Sequence, residues 1–369
     1  MKVLVTGAKG FIGKNLCLFL EKNDFEVLKY DLDNTKEELL SFLRECDFIF
    51  NLAGVNRPKN EEEFSFGNHI FLEDMISYLK EIGNKCPIML SSSTQAALDN
   101  PYGLSKKAAE ETLFKYSEET GANVFVYRFP NVFGKWARPN YNSAVATFCN
   151  NIAASLPITV NNPATVLELL YIDDLCEEML KALKGEANKE GEFCAVPVTF
   201  KKSLGEITEL LYSFKEKRNS LGVINTADPF ETRLYATFLS YLPRDEFSYP
   251  LTTHSDNRGS FTEILRTENA GQFSVNISKP GITKGNHWHH TKNEKFLVVK
   301  GNGVIRFRKL DEDEVIEYFV SGDDMRVVDI PTGYTHSIVN LSETEDMVTF
   351  MWCSECFNKD KPDTFFDEV

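Results

Sequence analysis

Residues 3–13 read VLVTGAKGFIG, where a short apolar run leads into three glycines that are separated by two residues each time. The run fits a buried strand, and the residues from Phe11 onward have helical spacing. A strand, a glycine turn and a helix in this order let backbone N–H groups approach a pyrophosphate at the helix N-terminus, where the helix dipole favours negative charge. The stretch therefore predicts a dinucleotide-binding turn that consists of Gly7, Lys9, Gly10, Phe11, Ile12 and Gly13.

The pattern around this turn repeats along the first two thirds of the chain. Short apolar runs predict strands at residues 2–6, 25–30, 48–52, 88–90 and 124–128. Amphipathic patterns predict helices at residues 11–22, 35–46, 71–82 and 102–120, with more near 173–183, 203–217 and 230–241. Because this alternation is typical of a doubly wound parallel sheet, we predict an N-terminal Rossmann-type α/β domain over residues 1–243.

Beyond residue 243 the pattern changes to alternating strands without helices. The predicted strands are residues 273–277, 296–299, 304–308, 315–320 and 348–352, and Gly, Pro, Asn and Asp turns separate them. Such a pattern favours an all-β barrel or jelly roll. We therefore predict a second domain over residues 244–369.

The net charge and the cysteine content of the chain exclude some classes of partner and of location. The 369 residues include 55 acidic and 40 basic side chains, for a net charge of -15. This charge repels phosphate backbones and anionic membranes, so we expect neither a nucleic-acid nor a membrane partner. The eight cysteines are scattered and are expected to be reduced thiols. Without a signal-peptide pattern or a membrane span, the expected location is the cytoplasm.

Tyr102 and Lys106 are four residues apart at the start of a predicted helix, so their side chains share one face. An ammonium group there can lower the pKa of the phenol and make it a usable proton donor or acceptor. The preceding strand ends in three serines, residues 91–93, at the edge of the sheet where ligands of parallel sheets bind. These residues predict an active site for proton transfer.

Five of the six histidines fall in the β-rich part, and four of these are His287, His289, His290 and His336. His287 and His289 are two apart, so on one strand both point to the same side. Glu294 and His336 complete a predicted site of three imidazoles and one carboxylate, which suits Zn²⁺ or another first-row divalent ion. A single histidine in a strand is usually a hydrogen-bonded core residue, but four with a glutamate at this spacing favour metal binding.

The first domain resembles the extended short-chain dehydrogenase/reductases that act on nucleotide sugars. The matching segments are the glycine turn, residues 51–54, the serine run, Tyr102 with Lys106, and residues 128–134 and 170–175. The resemblance implies that Ser93 polarises a carbonyl, Tyr102 transfers a proton and Lys106 also holds the nicotinamide ribose. It further implies cofactor contacts at Ala53 and Gly54 and a substrate contact at Asn131. The short gap between residues 93 and 102 leaves open which serine acts.

Two observations bear on the choice of cofactor. Asp31 ends the second predicted strand, where a carboxylate bonds the ribose hydroxyls of NAD and repels a 2'-phosphate. Lys9 and Lys29 lie near it in the sequence and could offset that charge. The resemblance implies NADPH, so we expect NADPH to be the cofactor. NADH remains an alternative because of Asp31.

The second domain resembles the cupins at residues 281–301 and 331–340, where the predicted metal ligands lie. Residues 256–263 also resemble the entry strand of the dTDP-4-dehydrorhamnose 3,5-epimerases, which are cupin-shaped enzymes. That resemblance implies that Arg258 contacts a nucleotide sugar, as an arginine fork is a natural diphosphate ligand. The alternative for Arg258 is a solvated charge on a turn.

Over its whole length the chain resembles the bifunctional enzymes of bacterial capsular polysaccharide synthesis that make the precursor of UDP-N-acetyl-L-fucosamine. The resemblance implies a reductase fused to a cupin epimerase, a UDP-2-acetamido-2,6-dideoxy-4-hexulose as the UDP-amino-sugar substrate, and a homodimer through the cupin. A C4 ketone makes the C3 proton removable, and reduction deletes that ketone. We therefore hypothesise that the cupin inverts C3 first, with His290, Tyr334 and Lys295 as candidates for proton transfer.

Two other functions remain open at the level of sequence. One is a nucleotide-sugar reductase with a single activity, in which the metal holds the cupin together. The other is a non-catalytic dinucleotide or sugar sensor. Tyr102 and Lys106 argue against a sensor, because pure binding does not need a paired proton donor.

Overall fold

The computed structural model describes residues 1–58 and 62–369, which form two compact units. The first unit contains Met1–Tyr212 and Thr226–Pro243, and the second contains Ser213–Asn225 and Arg244–Val369. Among the described residues, no helix combines the length and apolarity needed to cross a membrane.

Ten strands belong to the first unit: β1 (Lys2–Thr6), β2 (Glu26–Tyr30), β3 (Phe48–Asn51), β4 (Ile88–Ser93), β5 (Val124–Phe129), β6 (Asn131–Phe133), β7 (Val166–Tyr171), β8 (Lys189–Glu190), β9 (Phe193–Cys194) and β10 (Phe200–Ser203). Seven form the main sheet in the order β2-β1-β3-β4-β5-β9-β8, in which only β8 runs antiparallel to its neighbour. A smaller sheet has the order β10-β7-β6.

Helices cover both faces of the main sheet. One face carries α1 (Phe11–Lys22) and α7 (Ile172–Leu183), and the other carries α2 (Lys36–Glu45), α4 (Phe71–Ile82) and α5 (Pro101–Thr120). The remaining helices are α3 (Glu62–Ser65), α6 (Ala144–Ala153), α8 (Leu204–Asn219) and α9 (Pro229–Leu239). Side chains of β1 alternate between two cores: Val3 and Val5 pack with α1 and α7, while Leu4 packs with α2, α4 and α5. This doubly wound arrangement confirms the predicted fold class of the first part of the chain.

The second unit contains eleven strands: β11 (Thr253–Asp256), β12 (Gly259–Arg266), β13 (Gln272–Ser278), β14 (Thr283–Trp288), β15 (Glu294–Lys300), β16 (Asn302–Lys309), β17 (Val315–Ser321), β18 (Val327–Ile330), β19 (Tyr334–Asn340), β20 (Met347–Cys353) and β21 (Phe365–Phe366). They form antiparallel sheets with the orders β11-β12-β13-β20-β15-β18 and β17-β16-β19-β14-β21. Apolar side chains from both sheets, such as Phe296 and Ile338, share one core. The predicted all-β jelly-roll class is confirmed.

Candidate functional site

The glycine turn of the first unit joins β1 to α1 as predicted. Gly7 has a φ of 67°, and a Cβ atom there would lie 2.9 Å from the Ala53 nitrogen. At Gly13 a Cβ atom would lie 2.1 Å from the Gly7 carbonyl oxygen. Only glycine tolerates these approaches, so the turn packs tightly against the end of β3 and leaves the N-terminus of α1 accessible to a phosphate.

Asp31 follows β2 at the edge of the same turn. Its carboxylate accepts the backbone N–H of Lys9 at 2.7 Å and that of Leu32 at 2.8 Å. The Lys9 ammonium instead pairs with Asp33, and the Lys29 ammonium pairs with Glu21 at 2.6 Å. The two lysines that we expected to offset Asp31 are therefore engaged elsewhere.

Helix α5 positions the predicted tyrosine and lysine. Asn100 caps the helix by accepting the N–H of Gly103 at 2.9 Å. Lys106 is 6% exposed, and its ammonium donates to the Ser91 carbonyl at 2.9 Å. A Cβ atom on Gly54 would lie 3.2 Å from that ammonium, so Gly54 and Lys106 adjoin. Burial lowers the pKa of Lys106 to about 8, although nearby Glu110 opposes the shift.

The three serines at the end of β4 have different partners. The hydroxyl of Ser92 donates to the buried Glu110, which also accepts two hydrogen bonds from Arg128 at 2.9 and 2.6 Å. The Ser93 hydroxyl accepts a hydrogen bond from the Gln95 N–H at 3.2 Å. It also forms a hydrogen bond with the Tyr102 phenol. Of residues 91–93, Ser93 is thus the serine whose side chain lies beside Tyr102.

The expected lowering of the phenol pKa is wrong for this structure. Burial raises the pKa of Tyr102, and the contact with Ser93 only partly opposes that shift. The Lys106 ammonium lies 5.9 Å from the centre of the Tyr102 ring. The phenol therefore keeps its proton at neutral pH, which suits a proton donor.

Asn68 supports this site, and the sequence analysis missed it. The buried amide accepts the Val55 N–H at 2.9 Å and donates to the Val55 carbonyl at 3.1 Å and to the Ser105 hydroxyl at 3.0 Å. It thereby ties the loop after β3 to the first turn of α5. Asn131, the predicted substrate contact, is exposed on β6, and its amide donates to the Glu168 carbonyl at 3.3 Å.

In the second unit, the four predicted metal ligands converge. One ligand atom from each of His287, His289, Glu294 and His336 lies within 4.8 Å of all the others. The prediction that both His287 and His289 lie on one strand is wrong, because β14 ends at Trp288 after a bulge near Gly285. A Cβ atom on Gly285 would lie 2.8 Å from the His336 carbonyl, so this glycine lets β14 approach β19 beside the cluster.

The atoms that face one another in this cluster fit a cation. The buried atoms without a hydrogen-bond partner include His289 Nε2, Glu294 Oε2 and both ring nitrogens of His336. The Nδ1–H group of His289 donates to the Asp363 carbonyl. In this tautomer Nε2 carries no proton, and its lone pair is directed at the cluster. An orphaned buried polar group costs about 1–3 kcal/mol, and a bound divalent ion would satisfy His289 Nε2, Glu294 Oε2 and one ring nitrogen of His336 together.

Protonation states agree with a metal site. Burial, followed by the nearby His336 ring, lowers the pKa of His287 to about 4. Burial alone would raise the pKa of Glu294, but the His289 and His336 rings, 3.4 and 3.3 Å from Oε2, hold it well below its ordinary value. At neutral pH the cluster thus offers an uncharged His287 imidazole and a carboxylate.

Two further residues orient the ligands, and the sequence analysis did not single out either. The Cys353 thiol donates to Glu294 Oε1 at 3.0 Å, which leaves Oε2 to face the histidines. The Asp363 carboxylate accepts the backbone N–H groups of His290, Thr291 and Lys292. These bonds outweigh the effect of burial and hold the pKa of Asp363 well below its ordinary value.

The three candidates for proton transfer in this unit have different positions. Lys295 alternates with Glu294 along β15, so it points to the opposite face, where it pairs with Asp329. His290 is exposed and packs edge-to-face against Trp288 and Phe365, with ring centres 4.6 and 5.0 Å away. The structure therefore removes Lys295 and His290 from the cluster.

Tyr334 differs from those two candidates. It lies two residues before His336 on β19, so both side chains share one face, and it packs against the core of the second unit. Arg258, the predicted substrate contact, is exposed and forms two hydrogen bonds to Asp256 at 3.0 and 2.7 Å.

Comparisons with known proteins match both units. Residues 3–195 match the NAD dependent epimerase/dehydratase family, and residues 254–365 match the polysaccharide biosynthesis C-terminal domain. The chain is 44% identical to UDP-2-acetamido-2,6-beta-L-arabino-hexul-4-ose reductase of Pseudomonas aeruginosa, over 99% of this chain and 98% of that protein.

Solved structures give the same result. The capsular polysaccharide assembling protein CapF from Staphylococcus aureus matches with a TM-score of 0.95 and 53% identity over 100% of both chains. A UDP-glucuronic acid 4-epimerase from Bacillus cereus matches with a TM-score of 0.52 over 59% of this chain and 83% of that one, and its 20% identity shows the fold alone. The chain belongs to the NAD dependent epimerase/dehydratase family, in the group whose members carry a polysaccharide biosynthesis C-terminal domain.

Proposed function

We propose that this protein acts on a UDP-2-acetamido-2,6-dideoxy-4-hexulose in two steps, as an enzyme of capsular or surface polysaccharide precursor synthesis. The second unit inverts C3, and the first unit then reduces the C4 ketone with a reduced nicotinamide cofactor. The observation that carries the reductase activity is the meeting of Ser93, Tyr102 and buried Lys106 beside Gly54 and the glycine turn. The full-length similarity to a hexul-4-ose reductase supports the substrate class.

In the reduction, the nicotinamide supplies a hydride to C4 when it is bound. Ser93 donates a hydrogen bond to the ketone oxygen, and Tyr102 transfers its proton to that oxygen as negative charge develops. Burial keeps the phenol protonated until this step. The Lys106 ammonium binds the nicotinamide ribose and is positioned by the Ser91 carbonyl.

We propose that Asp31 favours NADH over NADPH, in contrast to the NADPH that the resemblance implies. Its carboxylate is fixed by two backbone N–H groups, and the Lys9 and Lys29 ammonium groups pair with other acids. A 2'-phosphate would therefore meet a negative charge that the Lys9 ammonium, paired with Asp33, only partly offsets, whereas ribose hydroxyls could donate to it.

The proposed epimerisation depends on the histidine cluster of the second unit. A divalent ion held by His287, His289, Glu294 and His336 would supply Lewis-acid stabilisation of an enediolate when it is bound. Zn²⁺ is our proposed ion, because neutral imidazoles and a carboxylate are its usual ligands. We propose Tyr334 for proton transfer at C3, since it shares a face with His336. Arg258 remains our proposed contact to the sugar nucleotide.

We also propose that the second unit forms a homodimer. Strand β17 is at the edge of its sheet and exposes four apolar side chains, Val315, Ile316, Tyr318 and Phe319. An apolar edge strand with free backbone groups tends to pair with another chain. Sedimentation equilibrium should give twice the chain mass, and Phe319→Glu should shift the protein towards monomer. A monomeric wild-type protein would contradict this proposal.

The experiment that tests the proposed function combines the substrate with and without cofactor. A UDP-2-acetamido-2,6-dideoxy-4-hexulose should exchange its C3 proton with solvent when no cofactor is present, as followed by NMR. When NADH or NADPH is added, one cofactor molecule should be oxidised for each alcohol that forms at C4. Reduction without C3 exchange would instead support a reductase with a single activity, and binding without either reaction would support a sensor.

A further inference from the structure

Two arginines outside the sites described above approach the same aromatic ring. The guanidinium carbons of Arg57 and Arg138 lie 5.8 and 5.2 Å from the centre of the Tyr141 ring. Both arginines are exposed. Within the described ranges, neither has a carboxylate at ion-pairing distance, although seven other arginines do: Arg128, Arg233, Arg258, Arg266, Arg306, Arg308 and Arg326.

Arg44, Arg218 and Arg244 likewise have no ion pair among the described residues, so what distinguishes Arg57 and Arg138 is that both approach one ring. Two guanidinium groups near one ring repel each other, and the face of the ring compensates only part of that cost. An anionic ligand would remove the repulsion. Since both groups are exposed, a ligand can reach them from solvent.

Both arginines are on loops that buried side chains hold in place. Arg57 lies two residues after Val55, which Asn68 binds through both its N–H and its carbonyl. Arg138 follows Ala137, whose carbonyl accepts the Tyr241 hydroxyl at 2.6 Å. These anchors position the two cations before any ligand binds, which lowers the entropic cost of binding.

We propose that Arg57 and Arg138 bind the diphosphate of the sugar nucleotide in the reductase site. The inference rests on the proposed function for the substrate class. Arg57 is three residues beyond Gly54, which adjoins the Lys106 ammonium, and Arg138 is on the loop that follows β6, where Asn131 lies. A planar guanidinium forms two parallel hydrogen bonds with phosphate oxygens, so two of them suit a diphosphate.

The diphosphate of the cofactor is a less suitable occupant. The glycine turn at the N-terminus of α1 already provides the backbone donors for that group. The reacting ketone must lie beside Tyr102, so the part of the substrate beyond its sugar ring extends away from the cofactor.

Calorimetric titration with UDP and steady-state kinetics test the assignment. Arg57→Gln and Arg138→Gln should each weaken UDP binding and raise KM for the keto sugar about 10- to 100-fold, which is the range for a lost charge-assisted hydrogen bond. The KM for the reduced cofactor and the affinity for uridine should change less than about twofold. Arg57→Lys should recover part of the UDP affinity, because the charge remains while the fork is lost.

Arg44→Gln is the matched control. Arg44 is also exposed and lies 5.7 Å from the centre of the Tyr78 ring, so its replacement removes the same kind of contact elsewhere. Unchanged UDP affinity in Arg57→Gln and Arg138→Gln would overturn the proposal, as would a rise in the cofactor KM alone. Arginine-dependent UDP binding without any ketone reduction would instead contradict the proposed function and leave this assignment standing.

Discussion

The candidate reductase site and the histidine cluster differ in how their buried polar atoms are satisfied. In the first unit the Lys106 ammonium donates to the Ser91 carbonyl, and Ser92, Glu110 and Arg128 form a bonded network. In the second unit His289 Nε2, Glu294 Oε2 and both ring nitrogens of His336 have no hydrogen-bond partner. One site is complete within the protein, whereas the other lacks a group that its ligand atoms require.

This difference indicates two kinds of ligand. A site with satisfied buried groups keeps its geometry when it is empty, so it suits a cofactor and a sugar nucleotide that exchange in each turnover. A cluster of orphaned donors and acceptors is destabilised when it is empty, so it suits an ion that stays bound. The comparison thus supports the proposal of an exchangeable cofactor in the first unit and a resident metal in the second.

The largest effect is expected in the first unit. Tyr102→Phe removes the proton donor while it keeps the ring, so the rate of C4 reduction should fall about 1,000-fold. C3 exchange, followed by NMR in D₂O, should remain within about twofold because the second unit is unchanged. Tyr212→Phe, at an exposed tyrosine, is the control. Loss of C3 exchange in Tyr102→Phe would contradict the proposal that the two sites catalyse separate reactions.

Removal of a proposed metal ligand from the second unit should affect C3 exchange rather than C4 reduction. His289→Ala removes a ligand, so C3 exchange should fall about 100-fold, while cofactor oxidation with a substrate already inverted at C3 should persist. Elemental analysis should find one divalent ion per chain in the wild type and less in the variant. His254→Ala, at an exposed histidine, should leave both values unchanged.

Removal of the proposed ion tests whether the second unit depends on it and whether the first unit does not. Chelation followed by dialysis should lower the Tm of the protein, and added Zn²⁺ should restore it, since a ligand that binds only the folded state stabilises that state. Ketone reduction by the chelated protein should persist if the two sites are independent. A wild-type protein without bound metal and with an unchanged Tm would contradict the resident ion.

Cofactor preference is expected to respond less strongly. Asp31→Asn removes the charge that repels a 2'-phosphate, so the ratio of kcat/KM for NADH to that for NADPH should fall about tenfold. Glu37→Gln is the control, because Glu37 is an exposed carboxylate on α2 outside the turn. An equal shift in both variants would assign the effect to the general charge of the protein.

The smallest effect is a dependence on pH. Burial lowers the pKa of Lys106 to about 8, so its positive charge is present below that pH and is lost as the pH rises through it. Because we propose that the ammonium binds the ribose, kcat/KM for the cofactor should fall about twofold between pH 7 and pH 8. A profile that stays flat up to pH 9 would mean that the charge of Lys106 does not contribute.

Much of this molecule could be predicted from periodicity and spacing. The glycine turn and strands β1 to β5 follow from local patterns, because their apolar side chains pack into two cores on either face of the sheet, whereas β6, β7 and β10 were not predicted. The convergence of His287, His289, Glu294 and His336 was also predicted, although β14 ends at Trp288, one residue before His289. The short strands β8 and β9 were not predicted, since two residues carry no period.

Residues whose partners are distant in the sequence could not be predicted. Asn68 and Cys353 act through contacts with Val55 and Glu294, and no local motif marks either of them. Lys295 was misplaced for a different reason. It follows Glu294 directly, and alternation along a strand sends adjacent side chains to opposite faces. The pairing of Lys9 and Lys29 with acids likewise depends on tertiary structure.

The central claim is that the two sites act on one ketone in sequence, with C3 exchange before C4 reduction. Its most direct test is the reaction of the wild-type protein with an unlabelled 4-keto sugar nucleotide and reduced cofactor in D₂O. We predict that the product alcohol carries one deuterium at C3 by NMR and mass spectrometry. A reduced product without deuterium at C3 would contradict this order of events.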